Sequence, residues 1–104
     1  MSGIAALPEP PYYAVVAPAD LRPDVAGYPE LAQTVMRAAS EIDGFYGIET
    51  CYRPGFSIAV SYWSSLEAID VWRNHTRHER AKDLGRSRWF DRYATRIAHV
   101  IDAY

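Results

Sequence analysis

FYGIETCYRPGFSIAVSYW, residues Phe45–Trp63, sets the architecture of this chain. Two runs rich in aromatic and β-branched residues, Phe45–Arg53 and Phe56–Trp63, flank Pro54-Gly55. So short a gap reads as a β-hairpin. Side chains alternate across a strand. In the second run Phe56, Ile58, Val60 and Tyr62 therefore point one way, and Ser57, Ala59, Ser61 and Trp63 the other. Neither row carries a charge, so each face of the resulting sheet needs a cover.

Helices are expected on both sides of the hairpin. Upstream, Tyr28, Leu31, Ala32, Val35, Ala39 and Ile42 form one helical stripe, with Glu30, Gln33, Arg37 and Glu41 outside it. Pro29 suits a first helical position, and Asp43-Gly44 supplies the stop. Downstream, Ser64 and Glu67 have capping-box spacing, and Ala68, Ile69 and Trp72 make the apolar side of a second helix. That stripe loses definition near Asn74-His75, where a bend is expected. Gly85 ends the helix, with Lys82 and Arg86 near the negative end of its dipole.

The outermost elements are strands. Tyr12–Ala17 is tyrosine- and valine-rich and bounded by prolines, and Pro18–Gly27 reads as a loop. Trp89–Ala103 reads as the last strand. Residues 1–11, with Pro8, Pro10 and Pro11, form an extended arm ahead of a single domain over residues 12–104. The order is β-α-β-β-α-β, a ferredoxin-like α+β fold with a four-stranded antiparallel sheet. Helices would cover one face. The charge-poor opposite face predicts a homodimer with the two sheets face to face.

Composition narrows the function classes. A chain of 104 residues suits one domain. A net charge of -2 argues against a nucleic-acid partner. One cysteine rules out an internal disulfide framework, and Cys51, inside a strand, reads as a small buried hydrophobe. No apolar run reaches the roughly 18 residues of a membrane span. The opening MSGIAALPEPP has no basic n-region or apolar h-region, so a cytoplasmic protein is expected. There is no GxSxG, P-loop or GxGxxG motif.

The stretch Ser61–Tyr93 holds all three tryptophans and two of the three histidines. The series Ser61-Tyr62-Trp63, Glu67-Ala68-Ile69, Trp72, His75, His78, Ala81, Gly85-Arg86, Trp89-Phe90, Tyr93 and Arg96, with Gly44-Phe45-Tyr46-Gly47-Ile48-Glu49 upstream, resembles the antibiotic biosynthesis monooxygenase family over roughly residues 12–104. The resemblance implies a dimeric α+β barrel. It also implies a cofactor-independent monooxygenase that binds a small aromatic or polyketide-type metabolite between sheet and helices, and lets its anion react with O2. On that reading Tyr62, Trp63, Trp72, Trp89 and Tyr93 supply aromatic walls. His75, His78 and Arg86 supply proton transfer or anion stabilisation.

Each of these residues has a plainer role beside the functional one. Trp63, Trp72 and Trp89 serve equally as core plugs, the histidines as ordinary structural residues, and Arg86 as a helix-end cap. Arg96 reads as half of a structural salt bridge. His75 and His78 share a helix side, but no firm third ligand follows them, Glu79 and His99 being candidates only, so no metal site is expected. The haem-degrading branch of the family resembles a set of first-strand asparagine, second-helix tryptophan and a histidine ten residues later. Trp72 matches; Lys82 occupies the later position and YYAVVA has no asparagine. Two alternatives stay open: a haem-binding protein using His75 or His78, and a non-catalytic dimer that binds a small ligand.

Overall fold

The computed structural model describes residues 3–75, 79–80 and 83–104. His78 and Lys82 lie outside the described residues. Strands β1 (Tyr12–Leu21), β2 (Phe45–Arg53), β3 (Phe56–Trp63), β4 (Phe90–Tyr93) and β5 (Arg96–Val100) form one antiparallel sheet. Helices α1 (Tyr28–Ser40) and α2 (Leu66–Arg73) lie between β1 and β2 and after β3, and a π-helical turn (Gly85–Trp89) precedes β4. The strand order is β2-β3-β1, with β4 and β5 both pairing with the outer flank of β1. This is the expected α+β, ferredoxin-like topology, with the fourth position split in two.

The split has a local cause at Pro18. Strand β1 runs four residues beyond Ala17, through Pro18, although it is central in the sheet. Proline cannot donate to a ladder and is normally confined to edges. Here the Pro18 carbonyl accepts from the Ala94 N–H at 3.1 Å, so the polar side of Pro18 faces the β4/β5 flank. Its missing donor falls where Ala94 and Thr95 separate β4 from β5. The single last strand expected over Trp89–Ala103 is thereby corrected to two short strands, and a four-stranded sheet to a five-stranded one.

Helix α1 follows the sequence pattern, whereas α2 ends at Arg73, well before the stop expected at Gly85, which instead opens the π-helical turn. Pro29 lies in the first turn of α1. The cap of α2 is Ser65 rather than Ser64: its Oγ accepts from the Ala68 N–H at 3.1 Å. The loss of definition near Asn74 is real, since α2 ends at Arg73 with Asn74 as its C-cap.

The two faces of the sheet differ. Cross-strand partners on the helix side form successive rows: Tyr13–Trp63–Phe45, Val15–Ser61–Ile48, Ala17–Ala59–Thr50 and Ala19–Ser57–Tyr52. The first row packs against Ala38, Ala39, Ala68, Ile69 and Trp72. Trp63 is completely buried, and its Nε1–H donates to Ser61 Oγ at 2.9 Å. Burying a tryptophan removes ~150–250 Å² from water. At about 25 cal/mol per Å² this contributes roughly 4–6 kcal/mol, the largest single term in the core.

The face away from the helices carries Tyr12, Ala14, Val16 and Pro18 beside Tyr62, Val60 and Ile58. One end of it is covered. Tyr12 meets Tyr62 edge-on at 5.8 Å and Tyr46 at 6.4 Å, and Ala5 and Leu7 lie close over Gly47. The Ala5 N–H donates to Glu49 Oε2 at 3.1 Å, while the Tyr62 hydroxyl donates to Glu49 Oε1 at 2.5 Å. Cys51 is on this face too and is exposed, which corrects its reading as a buried hydrophobe: β2 is an edge strand, and none of the described residues covers the Cys51 side chain.

Candidate functional site

A cavity of about 420 Å³ lies between the sheet and α1. Its wall is the helical stripe Tyr28, Leu31, Ala32, Val35, Met36 and Ala39, spaced so that one side of α1 faces the sheet. Its floor is the row Ala17–Ala59–Thr50 with parts of the rows on either side. The space exists because of side-chain size. Trp63 and Phe45 fill the sheet–helix gap beneath α2, whereas two rows further on alanine stands opposite alanine and the gap stays open. Trp72 closes one end of the cavity and Trp89, with Tyr28 and Tyr52, lines the rest of its aromatic surface.

These aromatic groups are fixed by their own contacts. Trp72 is buried, stacks on Trp63 at 6.1 Å between ring centroids, and has His75 at 5.9 Å on another side. The Trp89 Nε1–H donates to the Ala26 carbonyl at 3.1 Å, and its ring meets that of Tyr28 at 5.4 Å. The Tyr28 and Ser57 hydroxyls are 2.9 Å apart. The Trp89 carbonyl accepts from the Arg22 N–H at 2.7 Å, which ties the π turn to the end of β1. Gly85 opens that turn beneath the Phe90 ring, where a Cβ would come within 2.5 Å of Cε2.

The residues singled out from sequence are distributed as follows. Trp72 and Trp89 line the cavity. Trp63 is a core plug one row away, backing Trp72. Tyr62 is on the opposite face of the sheet, bonded to Glu49. Burial, with the Glu49 carboxylate adding to it, pushes the Tyr62 phenol up to about 12. Tyr93 is half-exposed, against Phe90 and beneath the Arg86 guanidinium, which stands 5.4 Å from its ring. Arg86 is thus engaged at the surface, and its carbonyl accepts from Arg22. His75 adjoins Trp72 from outside the lining set. Arg96 is exposed on β5, and among the described residues it has no carboxylate within ion-pair distance.

The lining of the cavity is apolar apart from a few neutral groups. Thr50, Ser61, Thr95, Gln33 and the two tyrosines are polar, and none of the described lining residues is charged. Among the described residues no three His, Cys, Asp or Glu side chains converge as a metal site would require. No helix among them is long and apolar enough to cross a membrane. Sequence reasoning missed Tyr28 as a site residue, because it also opens the apolar stripe of α1. It missed the row of small residues as well, although Ser57, Ala59 and Ser61 share one face of their strand.

No family model matches the chain. It is 43% identical over 101 residues to the uncharacterized protein YqjZ of Bacillus subtilis, covering 96% of this chain and 89% of YqjZ. Solved structures share its fold at low identity. An antibiotic biosynthesis monooxygenase superimposes with a TM-score of 0.76 at 12% identity, over 86% of this chain and 98% of that one. SnoaB, a cofactor-independent oxygenase from Streptomyces nogalater, superimposes with a TM-score of 0.77 at 8% identity, over 90% and 97%. The chain belongs to one family with YqjZ, and it carries the antibiotic biosynthesis monooxygenase fold.

Proposed function

We propose that this protein is a cofactor-independent monooxygenase for a small aromatic or polyketide-type metabolite, bound between the sheet and α1. One observation carries the reading: a cavity of about 420 Å³, with Trp72, Trp89, Tyr28 and Tyr52 in its walls and few polar groups. Pockets for small molecules run roughly 300–1,000 Å³ and are mostly apolar with a few oriented polar groups. The activity printed for SnoaB, on the same fold, supports the choice of reaction.

The proposed chemistry is oxidation of an activated methylene to a ketone. The substrate loses a proton from the methylene carbon, and its delocalised anion passes one electron to O2. The radicals recombine into a C–O bond as a peroxide, which takes up a proton. Loss of water then breaks the O–O bond and leaves a carbonyl. One substrate and one O2 give one ketone and one water. The protein has to hold the ring system flat, exclude water and accept a proton. Trp72 and Trp89 are the proposed walls, with Trp63 holding Trp72 from behind. His75 adjoins the Trp72 wall and is the proposed proton acceptor. The largely apolar, uncovered part of the sheet supports a homodimer through that face.

The test is oxygen uptake with anthrone by protein dialysed against a chelator. Uptake of one O2 per anthrone is expected, lowered ~10²-fold in His75→Ala, the lower end of what a positioned proton acceptor contributes. Uptake only after haem or a metal is added back would sink the cofactor-independent reading. Tight binding of anthrone with no uptake would leave a ligand-binding protein in place of an enzyme.

A further inference from the structure

We infer that the Tyr28–Ser57 hydroxyl pair is the polar anchor of the cavity, and that it selects an uncharged, flat aromatic ligand carrying a keto or phenolic oxygen. This rests on the proposed function only in placing the ligand in this cavity.

The two hydroxyls hold two protons between them. Tyr28 is in the cavity wall, its ring braced by Trp89 at 5.4 Å and by Phe90 at 5.7 Å. Its hydroxyl is 2.9 Å from that of Ser57, which is only 6% exposed. Each hydroxyl has one proton to donate and lone pairs to accept with. One proton fills the bond between the two oxygens. If Ser57 donates it, the Tyr28 proton is left for the cavity. If Tyr28 donates it, the Tyr28 oxygen turns lone pairs to the cavity instead. Rotation about two C–O bonds converts one state into the other, with no change in charge. A ketone needs a donor, and a phenol or enol is also satisfied by an acceptor. The pair therefore meets both tautomers of a keto–enol aromatic at one point. A carboxylate needs a cation, and none is present among the described lining residues.

The experiment is isothermal titration calorimetry with 1-naphthol and naphthalene, which share a ring system and differ by one oxygen. Wild type, Tyr28→Phe, Ser57→Ala and Ala32→Trp are compared. Wild type should prefer 1-naphthol. Tyr28→Phe should lose roughly 3- to 10-fold on 1-naphthol, the range for a neutral hydrogen bond, with naphthalene unchanged. Ser57→Ala should narrow the preference in the same direction. A preference equal in wild type and both hydroxyl variants overturns the anchor, as does a wild type that binds neither probe. Ala32→Trp fills the cavity and should abolish binding of both probes. If both still bind to it as to wild type, the cavity reading itself fails. Loss of binding there, with an unaltered preference in the hydroxyl variants, removes the anchor alone.

Discussion

Replacing Gly44 by alanine should destabilise the fold far more than the same change at Gly55, although the two glycines have nearly the same backbone. Gly44 has φ +98° and Gly55 has φ +89°, a region that costs other residues about 1–2 kcal/mol. Alanine also lowers the entropy of the unfolded chain, a small gain common to both sites. The surroundings differ. At Gly55 an added Cβ meets nothing within 4 Å. At Gly44 it falls 2.6 Å from Ser64 Oγ and 2.8 Å from Ala68 Cβ. The serine hydroxyl can rotate away, but the Ala68 Cβ is fixed on α2 and buried. Moreover, the Gly44 carbonyl accepts from the Ser64 N–H at 2.8 Å, so the two segments cannot part without losing a bond. Overpacking of this kind costs ~1–3 kcal/mol beyond the backbone term. Gly44→Ala should therefore lose about 2–5 kcal/mol and Gly55→Ala about 1–2. In a domain of this size each kcal/mol lowers Tm by roughly 4–8 °C. Thermal melts at one fixed protein concentration, which keeps any association constant, read the difference directly. Equal Tm values for the two variants would show that the close approach of Gly44 to α2 does not constrain the fold.

Two further outcomes follow from the face away from the helices. The Tyr62 phenol is pushed up to about 12 by burial and by Glu49, above the ordinary ~10 of the unfolded chain. Its neutral form thus stabilises the fold fully below pH ~10, and the contribution is lost as pH rises toward 12. In a phenolate absorbance titration Glu49→Gln should bring one late-titrating tyrosine down, and an unchanged curve would remove Glu49 as a cause. Val60→Asp places a charge in the uncovered centre of the same face, two residues from Tyr62. Light scattering is expected to report a dimer for wild type and a monomer for the variant; a dimer unaffected by the charge would place the interface elsewhere, and a monomeric wild type would remove the proposed dimer.

How far the sequence could be read depended on whether a feature was local. The hairpin was legible because Pro54-Gly55 interrupts two alternating runs, and α1 because its stripe keeps one period from Tyr28 to Ile42. The two-part flank of β1 was not. Pro18 reads as a terminator, and only the Ala94 bond shows that its missing donor has a place to go. The choice between Ser64 and Ser65 as cap turns on one residue of helix phase, which spacing alone does not resolve. The cavity was least legible. Ala17 and Ala59 are unremarkable alone, and they make a void only because the register of β1 on β3 sets them opposite one another. The resemblance makes both Tyr62 and Trp63 aromatic walls, yet alternation sets them on opposite faces of their strand, and only the packing of the sheet says which face holds the helices.

The interruption at Pro18 also bears on how the molecule behaves in crowded solution. The rim of a sheet presents a row of unsatisfied N–H and C=O groups, a template onto which another chain can add. On one side that row is cut into β4, of four residues, and β5, of five. Neither piece is long enough to nucleate a stack of strands. The opposite rim, β2, is continuous for nine residues, but it carries Glu49 and Arg53 on one face and the exposed Tyr52 on the other. A single imino acid in the middle of the sheet thereby blunts one flank, and leaves guarding against fibrils on the other to the side chains of β2 and the arm that lies over Gly47.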